Sequence, residues 1–481
     1  MKRTLSLTLV GLLAFGTASA GNFTEINVEK AAAIIDAAIE AHGGDALLDD
    51  LQTVVIENHT TNHSVGQSLG TEAPWDRSAN NGIEVIDLEN RVFYTKAWGE
   101  GGGFEFSNST IINGEESYQI NHRSGTVQQI AEPDYDATSG PFVRVTPALL
   151  MRTLNDRRNN AHFLGETTAE GVDYNVIGFS MTVGPAISLY FEKDTNLLRR
   201  SERVLPNFGL VEYRFDDYQT KNTIPFNQKF TLLLNGDVNL ERDNKSLQAN
   251  VAIDAYLAVP DGLVEVPAIG PDALARQEVA DGVWLIGGNG TYAMFVDMDD
   301  YVFAAGGTAG IPERIELLRE VVGDKPIRYG MMTHHHFDHV LGVPAYEEEG
   351  ATVIAATAHE RIVRDAANDA ERLDVQLVDE RMTLESDRRV VEIIDIGPTA
   401  HSQHLLVAYL PEEGILFEAD HFALPRVGPI GPAVSSTRTF AKSLAQLGID
   451  AKIILAAHSP RLGTPDDLQE ALDAEIFEAN L

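Results

Sequence analysis

The sequence predicts an α/β protein in two parts: a mostly antiparallel β domain with a covering helix, then a domain of alternating short strands and helices. Three observations lead there. First, 481 residues exceed what one compact core holds. Second, strand-forming runs separated by turn residues recur between residues 50 and 255, whereas short strands alternate with helices after residue 275. Third, Pro260, Gly262, Pro267, Gly270 and Pro271 cluster between the two patterns and read as a linker. The expected division is 1–20, 21–260, 261–274 and 275–481.

The first twenty residues read as an export signal. Lys2 and Arg3 precede an apolar run from Leu5 to Phe15 that is too short to span a bilayer, and Ala18-Ser19-Ala20 forms a small-x-small cleavage site. A periplasmic or secreted location is therefore expected. Val28 to His42 carries Ala32, Ile35, Ala38 and Ile39 on one side and ends at Gly43-Gly44, the pattern of an amphipathic helix with a glycine cap. Ile187 to Lys193 reads as a strand, Asp194-Thr195-Asn196 as a turn, and Leu197 to Arg200 as the returning run. Phe226–Leu234 and Asp237–Leu240 flank Asn235-Gly236, a strong hairpin signal.

In the second part, Ile311 to Val322 has apolar residues at helical spacing, with Pro312 in its first turn and Gly323 just past its end. Ile327 to Met332 reads as a buried strand. It leads into Thr333-His334-His335-His336-Phe337-Asp338-His339, then a short helix. Imidazole and carboxylate are ligands that zinc and similar metals prefer, and the end of a strand is where α/β folds place them. A chance histidine cluster on a solvated loop is the plain alternative. Three later strands weigh against it. Val390–Ile396 leads to His401, Gly414–Ala419 ends at Asp420, and Ile453–Ala457 ends at His458.

The set His334-x-His336-x-Asp338-His339, then His401, Asp420 and His458, resembles the metallo-β-lactamase superfamily over roughly residues 275–481. The resemblance implies a four-layer αββα sandwich. It implies that His334, His336 and His401 hold one metal, that Asp338, His339 and His458 hold a second, and that Asp420 bridges them. It further implies hydrolysis by a metal-bound hydroxide, with Asp338 also orienting the nucleophile or taking its proton. Zinc suits the ligands best, and iron or manganese also suits a bridging carboxylate. His404 resembles a histidine that faces substrate or orients a ligand in some branches; an ordinary loop histidine is the other reading. His335 and His359 read as structural. His42, His59, His63, His122, His162 and His421 read as surface or packing residues. One departure stands out: Val302-Phe303-Ala304-Ala305-Gly306-Gly307 lacks the acid that many members carry near the start of the domain. The segment 21–260 resembles, by pattern alone, the half-barrel of lipoprotein carrier proteins. Such a concave sheet can hold an acyl chain, and a sheet covered by its own helix is the simpler reading.

Composition narrows the chemistry. The chain has no cysteine, so disulfides, cysteine-ligated zinc and thiol nucleophiles are excluded, and so are family branches with a metal-site cysteine. The net charge of −36 disfavours nucleic acid, anionic membranes and highly anionic substrates, leaving a small molecule as the expected partner. Three functions fit. One is an exported dinuclear hydrolase of an ester or lactone. Another is a hydrolase of a β-lactam amide or a phosphate or sulfate ester. The third is a periplasmic carrier with a vestigial metal site.

Overall fold

The computed structural model describes residues 22–206, 209–221 and 224–477; the expected export signal lies outside them. The N-terminal domain is mostly β. Fourteen strands form one sheet built from two meanders. One meander runs outward through β1 (Thr53–His63), β2 (Arg77–Asp87), β3 (Val92–Gly101), β4 (Phe104–Ile112), β5 (Tyr118–Asn121) and β6 (Thr126–Gln129). The other starts at the far edge with Ala161–Ala169 and returns to Asp237–Ala249, which pairs antiparallel with β1. Val264–Val266 adds a short parallel strand to β6.

The hairpin expected at Asn235-Gly236 forms, with both residues in the left-handed region and strands Ile224–Leu234 and Asp237–Ala249 paired. The strand pair around Asp194-Thr195-Asn196 also forms, as Ile187–Glu192 and Leu198–Leu205, with Asn196 left-handed. The covering helix spans Phe23–Ala41, starting earlier than its periodicity indicates because the Asn22 side chain accepts from Thr24 N–H. Ala31, Ile35, Ala38 and Ile39 bury its inner side in a core with Leu149, Leu150 and Leu154 of the helix Pro147–Asp156 and the sheet residues Phe179, Phe191 and Phe215. Each buried Ile, Leu or Phe among them contributes about 1.5–3 kcal/mol of transfer free energy.

The C-terminal domain has four layers. A seven-stranded sheet begins at Ala275–Ala280 and ends at Val375–Val378; a six-stranded sheet runs from Arg381–Glu385 to Ser459–Gly463. Their inner faces share one core, in which Met294, Phe303 and Met331 meet Ile393, Phe417 and Leu455. Helix Ile311–Val322 covers the outer face of the first sheet through Ile311, Ile315 and Leu318. Helices Ser435–Leu447 and Pro465–Asp473 cover the second through Phe440, Leu444 and Leu468. The αββα order follows from two sheets that are apolar on both faces and need helices outside.

Candidate metal centre

Each site residue sits where a strand ends. Strand Ile327–Met331 delivers residues 332–339, with Phe337–His339 as a single 3₁₀ turn. Gly307 lets this segment pack tightly: a Cβ there would lie 2.2 Å from Met332 Sδ and 2.3 Å from the His339 carbonyl. Strand Ile415–Glu418 delivers Asp420, whose φ of +62° is rare for a non-glycine residue. Glu418 sustains that turn, its buried carboxyl accepting from His421 N–H (3.0 Å) and Phe422 N–H (3.2 Å). Burial, with the Asp420 charge beside it, pushes the Glu418 carboxyl up to about 8. His458 lies between strands Ile453–Ala456 and Ser459–Gly463.

All seven residues named from the sequence come together. Ligand atoms of His334, His336, His401 and Asp420 lie within 4.8 Å of one another, as do those of Asp338, His339 and His458. Asp420 spans the two groups. Its Oδ2 is 2.8 Å from His339 Nε2, 3.1 Å from His401 Nε2 and 3.2 Å from His334 Nε2, while its Oδ1 is 2.9 Å from His458 Nε2.

The donor set fits divalent cations. The Nε2 atoms of His334 and His401 face each other at 3.2 Å, as do those of His339 and His458. His336 Nδ1 is buried and has no hydrogen-bond partner among the described residues. Lone pairs converging in this way ask for a cation. Burial, then the neighbouring imidazoles, holds His336 down to about 3 and His334 well below its ordinary value, the neutral form that ligation requires. Burial opposes the charges of Asp420 and Asp338, but hydrogen bonds and the His339 charge outweigh it. They keep Asp420 well below the carboxylate range and Asp338 at about 2. Burial likewise opposes charge on His339, yet Asp420 and Asp338 raise it to about 10; a bound cation would displace that proton.

The outer nitrogens are also held. His458 Nδ1 faces Gly290 O at 3.2 Å, and the Thr333 hydroxyl sits 3.1 Å from His334 Nδ1 and 3.4 Å from His339 Nδ1. His421 packs edge-on to His401 and hydrogen-bonds Thr399 Oγ1 (2.9 Å). His404 Nδ1 pairs with Asp395 Oδ2 at 2.7 Å, its ring partly exposed. His335 turns away from the ligands to Gly70 O (3.1 Å), with its ring beside His359.

The N-terminal domain supplies contacts that no local motif announces. The β1–β2 connection places Gln67 Nε2 2.7 Å from Asp338 Oδ1 and Ser68 O 3.0 Å from His336 Nε2. The β3–β4 tip places Gly102 O 2.7 Å from His401 Nδ1, and Phe104 meets the His401 ring edge-on. A carbonyl on one imidazole nitrogen fixes the tautomer and frees the other nitrogen for a metal. Glu105 accepts from Ser435 N–H (3.0 Å) at the start of helix Ser435–Leu447, where the helix dipole favours an acid.

Among the solved structures similar to this chain is a metallo-beta-lactamase from Pontibacter korlensis, 19% identical, with 42% of this chain and 97% of that chain covered and a TM-score of 0.34. Another is a mono-zinc metallo-beta-lactamase from Pseudomonas aeruginosa, 22% identical over 42% of this chain and 95% of that one, at a TM-score of 0.33. A third, from Hirschia baltica, is 19% identical over 41% and 95% at 0.33. No curated relative matches the chain. Residues 301–458, the stretch from Tyr301 to the last of the seven clustered side chains, match the family described as the Metallo-beta-lactamase superfamily. The C-terminal domain of this protein therefore belongs to the metallo-beta-lactamase superfamily and is a metal-dependent hydrolase domain.

Proposed function

We propose that this protein is an exported, dinuclear hydrolase of carboxylic esters or lactones. The observation that carries the reading is the Asp420 carboxylate, with Oδ2 toward His334, His339 and His401 and Oδ1 toward His458. In this reading His334, His336 and His401 would hold one ion, most suitably zinc, Asp338, His339 and His458 would hold another, and Asp420 lies within reach of both. Bound divalent cations supply a Lewis acid and lower the pKa of water from ~15.7 to ~7. The protein's own groups do the rest. Asp338 orients the attacking water and accepts its proton, and Gln67 fixes the carboxylate for that task. The Ser68 and Gly102 carbonyls hold His336 and His401 in the ligating tautomer. Phe104 and Phe422 line the approach and limit bulk water there.

Two observations favour an uncharged acyl substrate: the net charge of −36, and the absence of Lys and Arg among the described residues that line the space beside Asp420 and His458. The positively charged, apolar and small-residue pattern of residues 2–20 supports export. Acid release from a panel of lactones and esters tests the reading. Metal-replete protein turns over members of the panel and the Asp420→Ala variant does not; equal behaviour of the two would sink it.

A further inference from the structure

The space in front of the metal centre continues as a cleft between the two domains. Its inner chamber has a volume of about 490 Å³ and begins at Asp420 and His458. From there Phe422, Leu424, Val427 and Ile430 of the C-terminal domain face Phe104 and Val266. An outer chamber of about 410 Å³ shares Asn121, Thr126, Val266, Pro425 and Val427 with the first and runs on across β4, β5 and β6. Its far wall is polar and neutral, presenting Asn108, Thr110, Gln119 and Gln128. Apart from Asp420 and the histidines beside it, no titratable side chain lines either chamber among the described residues.

A cleft of this size, with apolar side chains on its C-terminal wall and neutral polar groups such as Asn121 and Thr126 where the chambers join and on the outer wall, selects ligands by shape and burial. An anionic group lodged in the chambers beyond Asp420 and His458 would find no Lys or Arg among the described lining residues, and would lose hydration with nothing in return. We infer that the interdomain cleft binds an elongated, uncharged acyl compound. The carbonyl lies at Asp420 and His458, the acyl chain passes between Val266 and Val427, and a hydroxyl or amide group reaches the outer wall. The N-terminal domain is then half of the specificity pocket. This rests on the hydrolase reading for the position of the carbonyl, and it adds the shape and charge of what is cleaved.

Val266 and Val427 face each other from different domains, line both chambers and lie outside the metal centre. The test uses the full-length, metal-replete protein and its Val266→Glu and Val427→Glu variants, with 4-nitrophenyl esters from acetate to decanoate and calorimetric binding of decanamide, a neutral probe. A fully buried methylene is worth roughly fourfold in affinity. The wild type is expected to prefer octanoate over acetate by at least tenfold in kcat/KM. Each variant is expected to lose the preference, its octanoate-to-acetate ratio of kcat/KM falling toward one, and to bind decanamide at least tenfold more weakly. A flat chain-length profile in the wild type, or an unchanged preference in both variants, overturns the inference. If no ester is cleaved, the hydrolase reading fails on its own and decanamide still decides the cleft: one-to-one binding weakened in both variants supports it, and absent or unaltered binding overturns it.

Discussion

The two domains meet at the metal centre and contribute to it in different chemical forms. The C-terminal domain brings all seven side chains that could hold metal, each on a strand end or the loop after it. The N-terminal domain brings two backbone carbonyls and one amide side chain from connections between long strands, and an aromatic ring from the first residue of β4. Ligand atoms tolerate little displacement, so they sit on a packed sandwich. Orienting contacts can be supplied from outside that sandwich, at the cost of making the centre depend on how the domains dock. The metal centre and its specificity pocket are in this account a joint product, and variants in the two regions should differ in kind as well as size.

The largest effect should come from the C-terminal side. Asp420→Ala removes the group shared by both ligand clusters. Steady-state kinetics should show a loss of about 4 kcal/mol of transition-state stabilisation, roughly a thousandfold. Gln67→Ala, from the N-terminal side, leaves every ligand in place and frees the Asp338 carboxylate to rotate. Contacts of this type are worth about 10–100-fold in metal affinity or activity. Competition with a chelator should show metal at the Asp338 cluster held more weakly by that factor, with unfolding temperature nearly unchanged; retention equal to wild type would mean that the Gln67 contact does not support the ligand. Glu105→Gln weakens only a helix-terminal contact across the domain boundary. A loss of about 0.3–1 kcal/mol in stability is expected at low salt by thermal denaturation, and less at high salt.

A pH experiment probes the N-terminal domain alone. Burial pulls His42 down to about 4, with the Ala38 carbonyl partly opposing it. The unfolded chain, titrating near 6.5, binds the proton more readily than the folded one, so this group's stability is complete above 6.5 and is lost as pH falls toward 4. At pH 5 the loss is about 2 kcal/mol. Thermal unfolding of His42→Phe should show a correspondingly smaller drop between pH 7.5 and 5 than the wild type. An equal drop in both would place the acid sensitivity elsewhere.

What the sequence disclosed follows the same division. His334, His336, Asp338 and His339 share seven residues, and His401, Asp420 and His458 each end a strand that is visible as an apolar run. Local spacing therefore carries them, and the four-layer fold comes with the family resemblance. The supporting contacts are separated by 265 to 299 residues, as in His335 with Gly70, Gln67 with Asp338 and Gly102 with His401. Backbone carbonyls have no side-chain signature at all. Thr333 and His421 were within sight of the motifs, but a hydroxyl or an imidazole next to a ligand looks the same whether it packs or orients. The turn 306–308 lacks an acid, and Thr333 sits behind His334 and His339 from within the histidine loop itself. The buried side of the helix Phe23–Ala41 was legible in Ile35, Ala38 and Ile39, with Ala31 rather than Ala32 completing it; its first turn depends on Asn22, a cap outside the periodic run.

Elemental analysis of desalted protein asks whether the proposed two-metal centre exists and whether the N-terminal domain completes it. About two equivalents of zinc, iron or manganese per chain are predicted for the wild type, since a preformed set of this kind should retain its metals, and about one for Gln67→Ala after brief chelation. A wild type holding no stoichiometric metal, or a Gln67→Ala variant that keeps both ions as firmly as the wild type, would contradict it.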